Sequence, residues 1–255
     1  MLISLASVKG SPGVTSTALA LAAVWPRPVV LLEADSSGGD LAYRCKAALG
    51  GPVAANKGLL QLAAAVRGGL PGAGVVANEA QMLACGVNLV QGVNRAGQAR
   101  AFAGLWPTIT AACMDAEVDV IADLGRVDRT SPVMALAEQS AHLLTVAVAT
   151  LESVMHLRED VPDLMGALAQ AGAIGVCPIL VGPDARAGRD RADLDNLLDG
   201  AGIAVRPTVS LPYDAKALTR LEQGESPSGR LGRTLLMRGA KAVVASLGLS
   251  ELVSA

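Results

Sequence analysis

The sequence predicts an α/β protein: a mostly parallel, doubly wound sheet of seven to eight strands between two layers of helices. Two observations carry this. Strand-length apolar runs alternate with longer helical stretches along most of the chain, the pattern of βαβ units. The 255 residues are 51% hydrophobic but only 2% aromatic, so the core must be built from Ala, Val, Leu and Ile, as suits a sheet covered on both faces. That length fits one domain, 1–255, better than two.

The runs predicted as strands are Leu2–Val8, Val29–Glu33, Val87–Gln91, Val118–Asp123, His142–Val148, Ile174–Val181 and Ile203–Val209. Crossovers between parallel strands are right-handed, and ligands of such sheets lie at the carboxyl ends of the strands. Gly68–Gly74 and Gly182–Gly188 read as surface loops, and the stretch from Cys45 to Ala84 carries the weakest pattern.

A formal net charge of −2 excludes a wholly basic nucleic-acid binder but allows a local basic patch. Cys45, Cys85, Cys113 and Cys177 form no CxxC pair, and neither histidine falls near them, which points to a reducing cytoplasm and no zinc site. The apolar opening from Met1 to Trp25 is broken by Lys9 and Gly10 and has no basic region before it, so export is not expected.

The chemistry concentrates after the first strand. Lys9-Gly10-Ser11-Pro12-Gly13-Val14-Thr15-Ser16 leads into the helix-forming run Thr17–Val24. Glycines there let the backbone turn its N–H groups inward, and a helix N-terminus adds partial positive charge where a phosphate would sit. The plainer alternative is a tight turn capped by Thr15 or Ser16 that binds nothing.

This segment resembles the deviant Walker A loop of the ParA/MinD family of P-loop ATPases, KGGxGK(S/T), with Lys9, Gly10, Gly13 and Thr15 in matching positions. Ser11-Pro12 replaces a glycine and a variable residue, and Val14 replaces the lysine that contacts phosphate. The resemblance implies that Lys9 reaches across a dimer to the partner's nucleotide and that Thr15 ligates magnesium. Valine supplies no charge to the β- and γ-phosphates, so loss of a charge-assisted contact of about 1.5–3 kcal/mol should weaken ATP binding roughly ten- to a hundredfold unless another cation compensates. Transition-state stabilisation should suffer more, giving slow or absent hydrolysis.

Further motifs follow in the family's order. Glu33-Ala34-Asp35 through Asp40-Leu41 is similar to its second-strand motif and first switch, with Asp35 at the carboxylate that helps orient the attacking water, and Glu33 in place of an aspartate; Asp40 also reads as a helix N-cap. Val118–Gly125 resembles a Walker B strand, placing Asp123 to hold a magnesium-bound water or, more plainly, to cap a turn. Leu211-Pro212-Tyr213-Asp214 resembles the turn that lies against the nucleotide base, which makes Pro212 and Asp214 candidates for that side of the site. The similarity runs from Leu2 to about Leu249 and is weakest over Arg44–Leu83.

What the resemblance implies is an ATP- and magnesium-dependent homodimer that positions cargo such as DNA, division, secretion or pilus machinery; the altered loop is similar to that of the atypical TadZ/CpaE branch. The alternative is a scaffold of the same fold that binds no nucleotide. Arg230, Arg233, Arg238 and Lys241 fall within an arc of about 140° if all lie on the last helix, a face for DNA phosphates, an acidic protein partner or solvent. The tail Leu247–Ala255 is apolar but has no lysine or arginine, a poor match to a basic membrane anchor. A metabolic enzyme of the dethiobiotin synthetase or nitrogenase iron-protein type fits poorly, because the first would keep the lysine and the second would need cysteines elsewhere.

Overall fold

A computed structural model describes residues 1–10, 13–170 and 175–249. Eight strands form one sheet: β1 (Leu2–Ser7), β2 (Val29–Glu33), β3 (Gln81–Met82), β4 (Asn88–Val90), β5 (Asp119–Arg126), β6 (His142–Val148), β7 (Val176–Gly182) and β8 (Val209–Pro212). Their order is β3-β4-β2-β5-β1-β6-β7-β8, and only the β3–β4 pair is antiparallel. The mostly parallel eight-stranded architecture expected from the sequence is therefore the one observed. The loops after β1, β2, β5, β6, β7 and β8 all open at one edge, with β1 at the switch point between β5 and β6.

Alternation along each strand divides the apolar residues between two layers. Leu2 and Ala6 of β1, Val30 and Leu32 of β2, and Val120 and Ala122 of β5 face one core, with Trp106, Ile109, Leu136, Leu157 and Leu164. Ile3, Leu5, Leu31 and Ile121 face the other, against Leu19 and Leu21 of the helix Val14–Ala23 and Met237 and Val243 of the helix Leu235–Ser246. Each fully buried leucine or isoleucine contributes about 1.5–3 kcal/mol, so this two-sided burial fixes the strand register and the position of every loop at the sheet edge.

Three elements depart from the sequence reading. The predicted strand Ile203–Val209 contributes only Val209, and the strand instead runs to Pro212. Gly202 (φ 71°) turns the chain out of the preceding helix, and Pro207 has no N–H for the ladder, so pairing with β7 begins at Val209 opposite Ile179. The short β3 went unrecognised because two residues show no periodicity. The last helix begins at Leu235, after Thr234 at its non-helical N-cap. The predicted start Ile174 of the sixth run lies outside the described residues.

Candidate functional site

The loop after β1 has the backbone its glycines suggest. Gly10 (φ 70°) and Gly13 (φ 89°) are left-handed, and a Cβ at either would meet nothing within 4 Å. Backbone conformation rather than crowding therefore demands glycine here. Gly13 is the N-cap of the helix Val14–Ala23, and among the described residues no side chain caps that helix. The first N–H groups of a helix have no partner within it, so the amides of Val14, Thr15 and Ser16 are left for another acceptor. Neither Thr15 nor Ser16 caps the turn, contrary to the plainer sequence alternative.

The side chains around the loop divide sharply. Val14 is 2% exposed and packs into the core under the sheet, so only its amide can serve a ligand at the loop. Lys9 is exposed and makes no ion pair or side-chain hydrogen bond among the described residues. Ser16 Oγ accepts a hydrogen bond from Arg44 Nη2 at 2.8 Å, and Arg44 also pairs with Glu222. Ser11 and Pro12, the two other candidates in the loop, lie outside the described residues.

Three carboxylates lie near one another around the ends of the neighbouring strands β2 and β5. Asp123 on β5 lies opposite Leu5 of β1 and Glu33 of β2 and is 1% exposed. Its Oδ1 accepts from Gly125 N at 3.0 Å, while Oδ2 has no hydrogen-bond partner among the described residues. Burial pushes its pKa up to about 7, with repulsion from Glu33 and Asp35 adding to the rise. The Thr15 hydroxyl is near enough to oppose that rise, although it makes no hydrogen bond of ordinary geometry to Asp123.

The strand continues to Arg126 instead of ending at Asp123. Between Leu5 and Ser7 of β1 the partner advances from Asp123 to Arg126, a bulge formed at Gly125 (φ 63°). A Cβ on Gly125 would stand 2.0 Å from Asp35 Oδ2, so Asp35 lies directly over this glycine. Asp35 also accepts from Ser37 N at 2.7 Å, and burial raises its pKa.

Glu33 has a role that its place in the motif did not disclose. Its Oε1 accepts from Asp40 N and Leu41 N, both at 2.9 Å, and its Oε2 accepts from Gly92 N at 3.0 Å. A carboxylate thus stitches the loop after β2 to the loop after β4, and the side chain of Asp40, though at the N-cap position, makes no capping bond. Desolvation raises the Glu33 pKa against the lowering effect of these three bonds.

Magnesium fits this arrangement. A buried carboxylate oxygen without a partner among the described residues, beside a hydroxyl in the first turn of the helix Val14–Ala23, supplies hard oxygen donors of the kind that ion takes. Among the described residues no group of three or more His, Cys, Asp or Glu side chains could hold a metal by itself. Thr15 and Asp123 would therefore provide one side of the shell, with phosphate oxygens and water completing it.

Beside the helix N-terminus opens a cavity of about 570 Å³, bounded by Gly13, Ser16 and Thr17 on one side and Leu211, Pro212, Tyr213 and Asp214 on the other. Val148, Val181, Leu218 and Leu236 make the walls largely apolar. Its apolar lining beside a helix N-terminus suits a ligand with an apolar body and an anionic end at Gly13. Pro212 and Asp214 thus line the same cavity as Gly13, and Asp214 Oδ1 is engaged as the N-cap of the helix Ala215–Glu222, accepting from Ala217 N at 3.0 Å.

The basic face requires correction. Arg230 and Arg233 belong to a 3₁₀ turn around Leu231–Arg233 that precedes the last helix, and only Arg238 and Lys241 lie on that helix. All four are exposed, but the single helical arc of the sequence reading does not exist, because the chain leaves helical geometry at Thr234. Among the described residues no helix is long and apolar enough to cross a membrane.

No family model matches the chain, and no curated protein matches it in sequence. Solved structures do. An ATP complex of a variant McdA from Cyanothece is 21% identical, with a TM-score of 0.66, and the match covers 99% of this chain and 98% of that one. A ParA family ATPase from Chlorobium tepidum is 17% identical with a TM-score of 0.65, covering 98% of both chains. The septum site-determining protein MinD from Pyrococcus horikoshii, complexed with Mg-ADP, is 15% identical with a TM-score of 0.65, covering 94% of both. The fold is that of the ParA and MinD ATPases.

Proposed function

We propose that this protein is a ParA/MinD-like positioning switch that binds ATP with magnesium at Gly10–Ser16 and hydrolyses it slowly or not at all. The observation that supports this best is the meeting of three features at one sheet edge: uncapped helix amides after Gly13, an apolar cavity beside them, and the unpartnered Oδ2 of Asp123. Backbone amides and the helix dipole hold the phosphates, the segment Leu211–Asp214 flanks the base, and Thr15 and Asp123 hold the metal. Magnesium, when bound, neutralises phosphate charge. Asp35 stands beside Asp123 to orient water, and the exposed Lys9 is free to reach a partner protomer across a homodimer.

Slow turnover follows from Val14, whose buried side chain leaves the β- and γ-phosphates without the family's lysine. Structural neighbours bind ATP and Mg-ADP, and MinD of Aquifex aeolicus forms a complex with MinC, which supports a nucleotide-bound state that engages a protein partner in the cytoplasm. DNA contact through Arg230, Arg233, Arg238 and Lys241 and kinship with the TadZ/CpaE branch belong to the same proposal. The same buried valine favours one alternative, a pseudo-ATPase scaffold that works through protein contacts alone. Titration calorimetry with ATP and magnesium separates them: saturable binding abolished by Asp123→Ala supports the switch, and no heat of binding refutes it.

A further inference from the structure

A phosphate loop without its lysine needs positive charge from elsewhere, and one side chain among the described residues brings it into contact with the loop's own helix. Arg44 ends the short helix Leu41–Arg44, far in sequence from the loop, yet its Nη2 donates to Ser16 Oγ at 2.8 Å. Ser16 is the third residue of the helix Val14–Ala23 and lines the cavity together with Gly13. The same guanidinium edge binds Glu222 Oε1, with Nε at 2.8 Å and Nη2 closer. Nη1 makes no hydrogen bond among the described residues, so its two N–H groups remain available.

The placement is unfavourable without anions. The first turn of a helix carries partial positive charge, and a guanidinium set against it is repelled. Glu222 offsets that repulsion, and the pair is partly withdrawn from water, with side-chain exposures of 29% for Arg44 and 16% for Glu222. An anion arriving at the amides of Val14–Ser16 would reverse the sign of the local potential and draw the guanidinium toward itself.

We infer that Arg44 supplies the phosphate-neutralising charge that Val14 lacks, and that Glu222 competes with the nucleotide for it. This rests on the proposed nucleotide site and adds a specificity residue to it. The arginine acts as a forked donor to phosphate oxygens, and the glutamate sets how tightly that donor is held when the site is empty.

Calorimetric titration of the full chain with ATP and magnesium, and separately with adenosine, tests the inference. Arg44→Gln should weaken ATP binding roughly ten- to a hundredfold and leave adenosine binding unchanged, with partial recovery in Arg44→Lys. Glu222→Gln should tighten ATP binding by up to about fivefold. Arg189→Gln, at an exposed side chain that does not line the cavity, controls for net charge and should change nothing. Equal losses for ATP and adenosine in Arg44→Gln, or weaker ATP binding in Glu222→Gln, would show that the pair is only structural. Wild-type binding of ATP that Arg44→Gln leaves intact overturns this inference alone, whereas absence of wild-type binding overturns the nucleotide reading beneath it.

Discussion

Asp123→Asn should make the metal-free protein more stable at pH 8 while abolishing the proposed magnesium-dependent binding of ATP. The folded protein holds the Asp123 proton up to about pH 7, whereas an unperturbed aspartate releases it near 3.8. Between those values the folded state binds more protons than the unfolded chain, so rising pH favours unfolding. The stabilising contribution is complete below the unfolded pKa and is lost as pH climbs toward 7. A shift of this size corresponds to a loss on the order of 4 kcal/mol. Glu33 and Asp35, also raised, push the same way, while His142, whose pKa burial lowers, opposes them. The difference between wild type and variant isolates Asp123. Asparagine keeps an oxygen to accept from Gly125 N and places a neutral amide where the unpartnered carboxylate oxygen stood. Urea unfolding in EDTA at pH 5 and pH 8 reads the effect: the wild type should lose about 2.7 kcal/mol more than the variant over that interval, the remainder being already lost by pH 5. Parallel pH profiles for the two proteins would refute the reasoning, because a carboxylate poised for a cation must cost folding energy when the cation is absent.

Two comparisons probe the scaffold around that carboxylate. Gly125→Ala and Gly13→Ala both force a left-handed residue, at about 1–2 kcal/mol each, but only the former drives a Cβ into Asp35, so thermal melts should show Gly125→Ala clearly less stable than Gly13→Ala. Equal melting temperatures would contradict the packing of Asp35 over Gly125. Glu33→Gln sets an amide donor against Gly92 N or the pair Asp40 N and Leu41 N, and should cost about 1–3 kcal/mol in chemical denaturation. Faster hydrogen exchange confined to those three amides is the accompanying signature, and unchanged exchange would remove the stitching role.

The strands were legible where burial on both faces produces continuous apolar runs, as in Val29–Glu33 and His142–Val148, which match β2 and β6 residue for residue. Legibility failed where a single backbone event overrides pattern: Pro207 delayed β8, and Thr234 separated two arginines from the helix they were assigned to. At the site, Gly13 and Thr15 follow β1, Pro212 ends β8 and Asp123 lies within β5 just before its bulge, so strands whose parallel direction is dictated by their crossovers bring all four toward one edge. Functions of side chains that act through space escaped it. Glu33 was readable as a negative charge kept in a motif position, but its three backbone partners come from loops that no periodicity connects. Arg44 had no signal at all, since its partners Ser16 and Glu222 lie 28 and 178 residues away and only tertiary packing assembles them. A short motif specifies backbone, and backbone is what the chain shares with the ParA and MinD fold; charge can be delivered to the same point from any neighbouring element. A search for a lost lysine's replacement therefore belongs on the elements that pack against the loop helix, not within the loop.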